Sequence, residues 1–160
     1  MRKTLVAAVA LVAMAAAFAA VASGGTHSGA QRVRIEATGT GAVTFVLKPM
    51  SKGRIQGDTG PLAFCCWRSW NVTRAGAKLE VTNPRLTLFG RRGTLQIRQR
   101  IEWVQLPDGY SIWTGTWKVV GGTRAYAGLS GHGFDAGVWE PETKPDRDIR
   151  IRLFGVLEPK

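Results

Sequence analysis

Apolar and polar residues alternate with a period of two through most of the chain, and no long amphipathic helical pattern occurs. In "RVRIEAT", Val33, Ile35 and Ala37 fall on one face and Arg32, Arg34 and Glu36 on the other. "AVTFVLK" aligns Val43, Phe45 and Leu47 after the break at Gly39–Gly41, and "KLEVTN" aligns Leu79 and Val81. "TLQIRQRIEWVQL" sets Leu95, Ile97, Ile101 and Trp103 against Thr94, Gln96, Arg98, Arg100 and Glu102. "DIRIRLFGVL" sets Ile149, Ile151 and Leu153 against Arg150 and Arg152. Successive side chains of a strand point to opposite faces, so each segment reads as a strand with one buried side.

Turn signals separate the segments. In "LPDGY", Pro107 pre-sets φ, Asp108 can bond its own backbone and Gly109 is free to take φ > 0. "RAGA", "FGRRG" and "VGGT" read as hairpin loops, and "PETKPD" (residues 141–146) as a longer polar loop. Seven to nine evenly spaced strands with short connections predict an antiparallel sandwich or an up-and-down barrel. A closed barrel is favoured because it leaves no unpaired edge. One domain without internal repeats is expected.

The stretch "GTWKVVGGTRAYAGLSGHGF" holds six glycines in twenty positions. A phosphate-binding loop needs a defined spacing before a helix, and Gly128-x-x-Gly131-x-Gly133 runs that spacing backwards. Gly121-Gly122 is therefore read as a hairpin turn, and the later glycines as bends or bulges at a barrel corner.

With "RGTLQIRQRIEW" and "PDGY", this stretch resembles the allene oxide cyclase and dirigent-protein barrel superfamily, in particular its exported bacterial members. Gly121, Gly122, Thr123, Tyr126, Gly128, Gly131 and Gly133 occupy the family's turn-and-glycine pattern, and the likeness extends loosely from Val33 to Leu157. Arg124 stands where those families carry a further turn glycine. The resemblance implies a single antiparallel eight-stranded barrel, calycin-like in build, with a cavity that in the plant members holds an oxylipin or a phenoxy-radical precursor. No catalytic residue carries over.

The ends and the charge add a location. Arg2 and Lys3, the Ala-rich apolar run from Leu5 to Val21 and the small residues Ala20 and Ala22 form a secretory signal peptide over 1–22. Retention of the run as an anchor is the alternative. Residues 23–31 read as a flexible segment and 32–160 as the barrel domain. The full chain carries a net charge of +11. An exported basic protein meets an anionic cell-wall polymer or a membrane surface rather than nucleic acid. Secreted or periplasmic localisation is the expectation.

Candidate chemistry is sparse. His27 and His132 have no metal-ligand spacing, and no metal or other cofactor is expected. "GLSG" lacks the last glycine of a nucleophile elbow, and "DTG" at Asp58–Gly60 reads as a turn. Cys65 and Cys66 are a disulfide candidate, set against a reading as two small hydrophobes facing opposite ways. Glu36, Glu80 and Glu102 alternate onto the polar face. Arg32/Arg34, Arg98/Arg100 and Arg150/Arg152 form i, i+2 pairs on outer faces, a candidate basic surface.

Six tryptophans either fill a small barrel or line its mouth. Trp103, Trp113, Trp117 and Tyr126 are the candidate ligand-binding residues. The expected function is binding of a small hydrophobic molecule in the barrel. A cyclase or isomerase acting on a lipid-derived substrate, without covalent or metal catalysis, and a basic adhesion module are the alternatives.

Overall fold

The structure is a computed structural model and describes residues 29–65, 71–75, 78–141, 143–144 and 148–160. Nine strands follow in chain order: β1 (Gln31–Thr40), β2 (Val43–Pro49), β3 (Asp58–Cys65), β4 (Asn71–Ala75), β5 (Lys78–Gly90), β6 (Gly93–Gln105), β7 (Ser111–Gly122), β8 (Leu129–Trp139) and β9 (Asp148–Pro159). A 3-10 turn, Arg124–Tyr126, joins β7 to β8. The sheet runs β3-β2-β1-β9-β8-β7-β6-β5, and β3 pairs with β5 to close it. The protein is thus an all-β, antiparallel, closed eight-stranded barrel, with β4 added along β5 as a ninth strand.

The closure depends on one irregularity. From Lys78 to Thr82, β5 pairs with β4; from Arg85 to Leu88 it pairs with β3. Between them Asn83 takes φ 71 and Pro84 follows, at a register shift against β6. Asn tolerates the left-handed region better than most side chains, and Pro has no N–H to donate to a ladder. Together they bend β5 where it changes partner.

The glycine stretch works differently from the expectation. Gly121 and Gly122 are not a hairpin turn: they end β7, paired with Gln96 and Leu95. Tyr126 packs so closely on Gly122 that a Cβ there would lie 2.9 Å from the tyrosine Cβ. Arg124 takes φ 52, the backbone region that glycine enters without strain. Gly133 and Gly137 lie directly across from Trp117 and Trp113 on β7, and Gly133 faces Gly155 on β9. A Cβ on Gly137 would overlap the Trp113 ring, and one on Gly155 would lie 2.6 Å from Trp117 Cζ2. The missing side chains are the space that two indoles occupy inside the barrel.

The remaining interior follows the alternation. Val33, Ile35, Phe45, Leu47, Leu86, Leu88, Leu95, Ile97, Ile151, Leu153 and Leu157 are fully buried. Burying each such side chain stabilises by about 1.5–3 kcal/mol. Gln31, the last residue of the segment expected to be flexible over 23–31, opens β1 and is buried. Its Nε2 donates to the carbonyls of Ser51 and Ile55, and its Oε1 accepts from Ile55 N at 2.7 Å. The leader expected over 1–22 lies outside the described residues. Among the described residues no helix is long and apolar enough to cross a membrane.

Candidate functional site

One end of the barrel is aromatic. The β6–β7 hairpin, turned by Leu106–Tyr110, sets Trp103 directly opposite Trp113. Their rings stack with centroids 5.1 Å apart and planes 6° from parallel. Trp139, at the end of β8, meets Trp103 edge-on at 6.3 Å and stacks with Phe64 of β3 at 6.4 Å. Phe64, Trp103 and Trp139 are half-buried, whereas Trp113 is buried. With Pro84, Gln99, Ile101 and Ile149 they line a partly open cavity of about 10 Å³. That is room for about one water molecule.

Beneath the rings sits a carboxyl group. Asp135 of β8 points inward with 3% exposure. Its neighbour on β7 is Gly115, which has no side chain, so Asp135 reaches past it to Gln99 on β6. Gln99 Nε2 donates to Asp135 Oδ2, and Trp113 Nε1 donates to Oδ1 at 3.3 Å. Burial pushes the Asp135 pKa up to about 7, although both hydrogen bonds favour the charged form. The carboxyl group therefore changes charge near neutrality. Gln99 can present its amide to the carboxylate or its carbonyl to the carboxylic acid, so either state finds a partner. Gln99 and Trp113 both line the cavity, which places Asp135 one hydrogen bond behind it.

The candidate ligand residues divide among three places. Trp103 and Trp113 meet at the aromatic end. Trp117 is buried mid-barrel, where its Nε1 donates to the carbonyls of Phe134 (3.0 Å) and Phe154 (3.3 Å). Tyr126 lies at the opposite end and donates to Asp58 Oδ2 at 2.8 Å. Asp58 is not part of a turn, as "DTG" was expected to be. It opens β3 and accepts from the backbone N–H groups of Thr59, Arg91 and Arg92, tying down the β5–β6 hairpin. Burial pushes the Asp58 carboxyl up, but the bonds from Tyr126, Thr59, Arg92 and Arg91 outweigh it and hold the pKa below its usual value. Burial and the Asp58 contact push the Tyr126 phenol up. This pair is a structural clasp. It does not share a site with the tryptophans.

No family model, curated protein or solved structure matches the chain.

The six arginines of the candidate basic surface all lie on the outer wall, in unequal states. β1 and β9 are neighbours, and Glu36 sits between Arg34 (3.8 Å), Arg152 (3.6 Å) and Lys48 (3.9 Å). Arg150 pairs with Asp148 at 2.8 Å, and Arg100 with Glu80. Glu102, also on the outer wall, pairs with Lys78 at 2.9 Å. Arg32 is exposed. Arg34 and Arg98 each keep a buried Nε with no hydrogen-bond partner. Cys65 ends β3 across from Arg85 and is disulfide-bonded. Cys66, Trp67 and Trp70 lie outside the described residues.

Sequence reasoning missed Asp135, Gln99, Phe64 and Trp139 as members of this end. The available signal was Gln99, a polar residue at inward parity between Ile97 and Ile101.

Proposed function

We propose that the protein acts outside the cytoplasm as a binding protein for a small, flat, mainly apolar molecule, seated at the aromatic end of the barrel. The observation that carries this reading is the buried Asp135 carboxyl under the Trp103–Trp113 stack. An ionisable group in an apolar interior is costly, and such groups concentrate where a protein does its work. Ligand pockets usually span about 300–1,000 Å³, so the small cavity is only the floor of the site. A ligand enters by parting the half-buried rings of Trp103 and Trp139 and stacking in their place. Trp117 and Tyr126 belong to the frame, and Trp103, Trp113 and Trp139 make the contact.

The test is titration with N-phenyl-1-naphthylamine, a neutral, flat, fluorescent probe. Saturable one-to-one binding that weakens at least tenfold in Trp103→Leu is expected. Thermal melting of the variant establishes that it is folded. Binding that saturates equally well in Trp103→Leu, or no saturable binding by folded wild-type protein, contradicts the reading.

A second reading is favoured by the near-neutral pKa of Asp135: a cyclase or isomerase in which the site folds a lipid-derived chain and this group holds a proton. Gln99 and Trp113 stand between Asp135 and the cavity, so direct proton transfer requires one of them to swing aside. Binding without turnover needs no such step and is preferred.

A further inference from the structure

The outer wall carries a row of cations that the rest of the surface does not neutralise. Arg85 on β5 lies directly across from Arg98 on β6, which lies directly across from Lys118 on β7. His132 on β8 continues the row. Among the described residues no acidic side chain pairs with Arg85, Arg98 or Lys118, while Arg34, Arg100, Arg150 and Arg152 each have one. Like charges directly opposite each other destabilise a sheet. Neighbouring strands are about 4.8 Å apart, so the three charges form a band roughly 10 Å across.

We propose that Arg85, Arg98 and Lys118 form a binding site for an anionic glycan lying across β5, β6 and β7. An anion over the band would relieve the mutual repulsion and accept from the outer guanidinium and ammonium N–H groups. The flanking outer-face positions favour a glycan over other polyanions. Thr82, Thr87, Gln96 and Thr116 offer hydroxyls and an amide to sugar hydroxyls. The exposed aromatic rings nearest the band, Phe89 on β5 and Phe134 across from Thr116 on β8, border it rather than lie within it, so the band itself offers no run of rings for successive bases and no apolar patch for a bilayer. The site lies outside the barrel and does not depend on the internal ligand.

A heparin hexasaccharide is the probe, titrated calorimetrically against the full chain. The triple variant Arg85→Gln/Arg98→Gln/Lys118→Gln is compared with Arg34→Gln/Arg150→Gln/Arg152→Gln, which loses equal charge from ion-paired positions. The first is expected to lose at least tenfold in affinity, with a salt dependence shallower by roughly the number of cations removed; the second should lose less than threefold. The melting temperature of the Arg85/Arg98/Lys118 variant should equal or exceed the wild-type value, because facing like charges have been removed. Equal losses in the two variants would show a general charge effect and overturn the proposal. Tighter binding of a single-stranded oligonucleotide or of phosphatidylglycerol vesicles than of the hexasaccharide would overturn the choice of partner.

Discussion

Replacing Asp135 with asparagine isolates the buried carboxyl from everything else in the barrel. Asn has nearly the same shape, can accept the Trp113 N–H bond and can exchange an amide bond with Gln99, but it carries no proton to lose. In the folded protein the Asp135 pKa is about 7, against an ordinary value of 3.8. Between those values the folded chain holds a proton that the unfolded chain releases. Stability is therefore fully present below about pH 4 and is lost as pH rises toward and through 7. The difference corresponds to roughly 4 kcal/mol at pH 8. Asp135→Asn should remove that loss and stabilise the protein at pH 8 by roughly 2–4 kcal/mol, while matching wild type within about 1 kcal/mol at pH 4.5. In a domain of this size that is a rise in melting temperature of roughly 8–16 °C. Urea unfolding at half-unit steps from pH 4.5 to 8 reads the effect directly. A variant whose stability follows the same pH curve as wild type would refute the burial argument.

Other substitutions probe the frame. Tyr126→Phe leaves the Asp58 carboxylate short of one donor and should cost about 1.5–3 kcal/mol of stability by urea unfolding, without changing probe binding at the far end. Gly137→Ala forces a methyl group into the Trp113 ring and should cost about 1–3 kcal/mol or more, with a changed near-ultraviolet circular dichroism spectrum. Arg124→Gly relieves a left-handed backbone, so its melting temperature should rise by a few degrees, reflecting a gain of up to about 1 kcal/mol. Gln99→Leu removes a hydrogen bond to the charged form of Asp135 and should move the carboxyl titration to higher pH in a carbon-13 spectrum.

Much of the fold was legible because strand alternation is a local property. The inward parity of Val33, Ile35, Leu95, Ile97, Ile151 and Leu153 follows from sequence spacing alone, and all six are buried. The glycines were harder. Gly137 and Gly155 look like chain breakers along the sequence, but the rings they accommodate lie on other strands, one strand away for Gly137 and two for Gly155. The same limit hid the site. Asp135 meets Gln99 across an intervening strand, over Gly115, and only the register brings them together. Tyr126 and Trp103 looked alike as aromatic candidates, and their placement at opposite ends depends on how β7 runs the barrel's length. Charge was legible as sign but not as balance. Arg34 and Arg98 have the same local pattern, yet one shares Glu36 and the other faces Arg85 and Lys118.

The proposal of a ligand site at the aromatic end rests on an ionisable carboxyl buried behind it. Carbon-13 NMR of the Asp135 side-chain carboxyl, titrated with and without N-phenyl-1-naphthylamine, tests it most directly. A midpoint near pH 7 is expected, moving upward when the probe covers the rings and excludes water, with the Trp113 indole N–H resonance shifting in step. A midpoint near 4 that ignores the probe would contradict it.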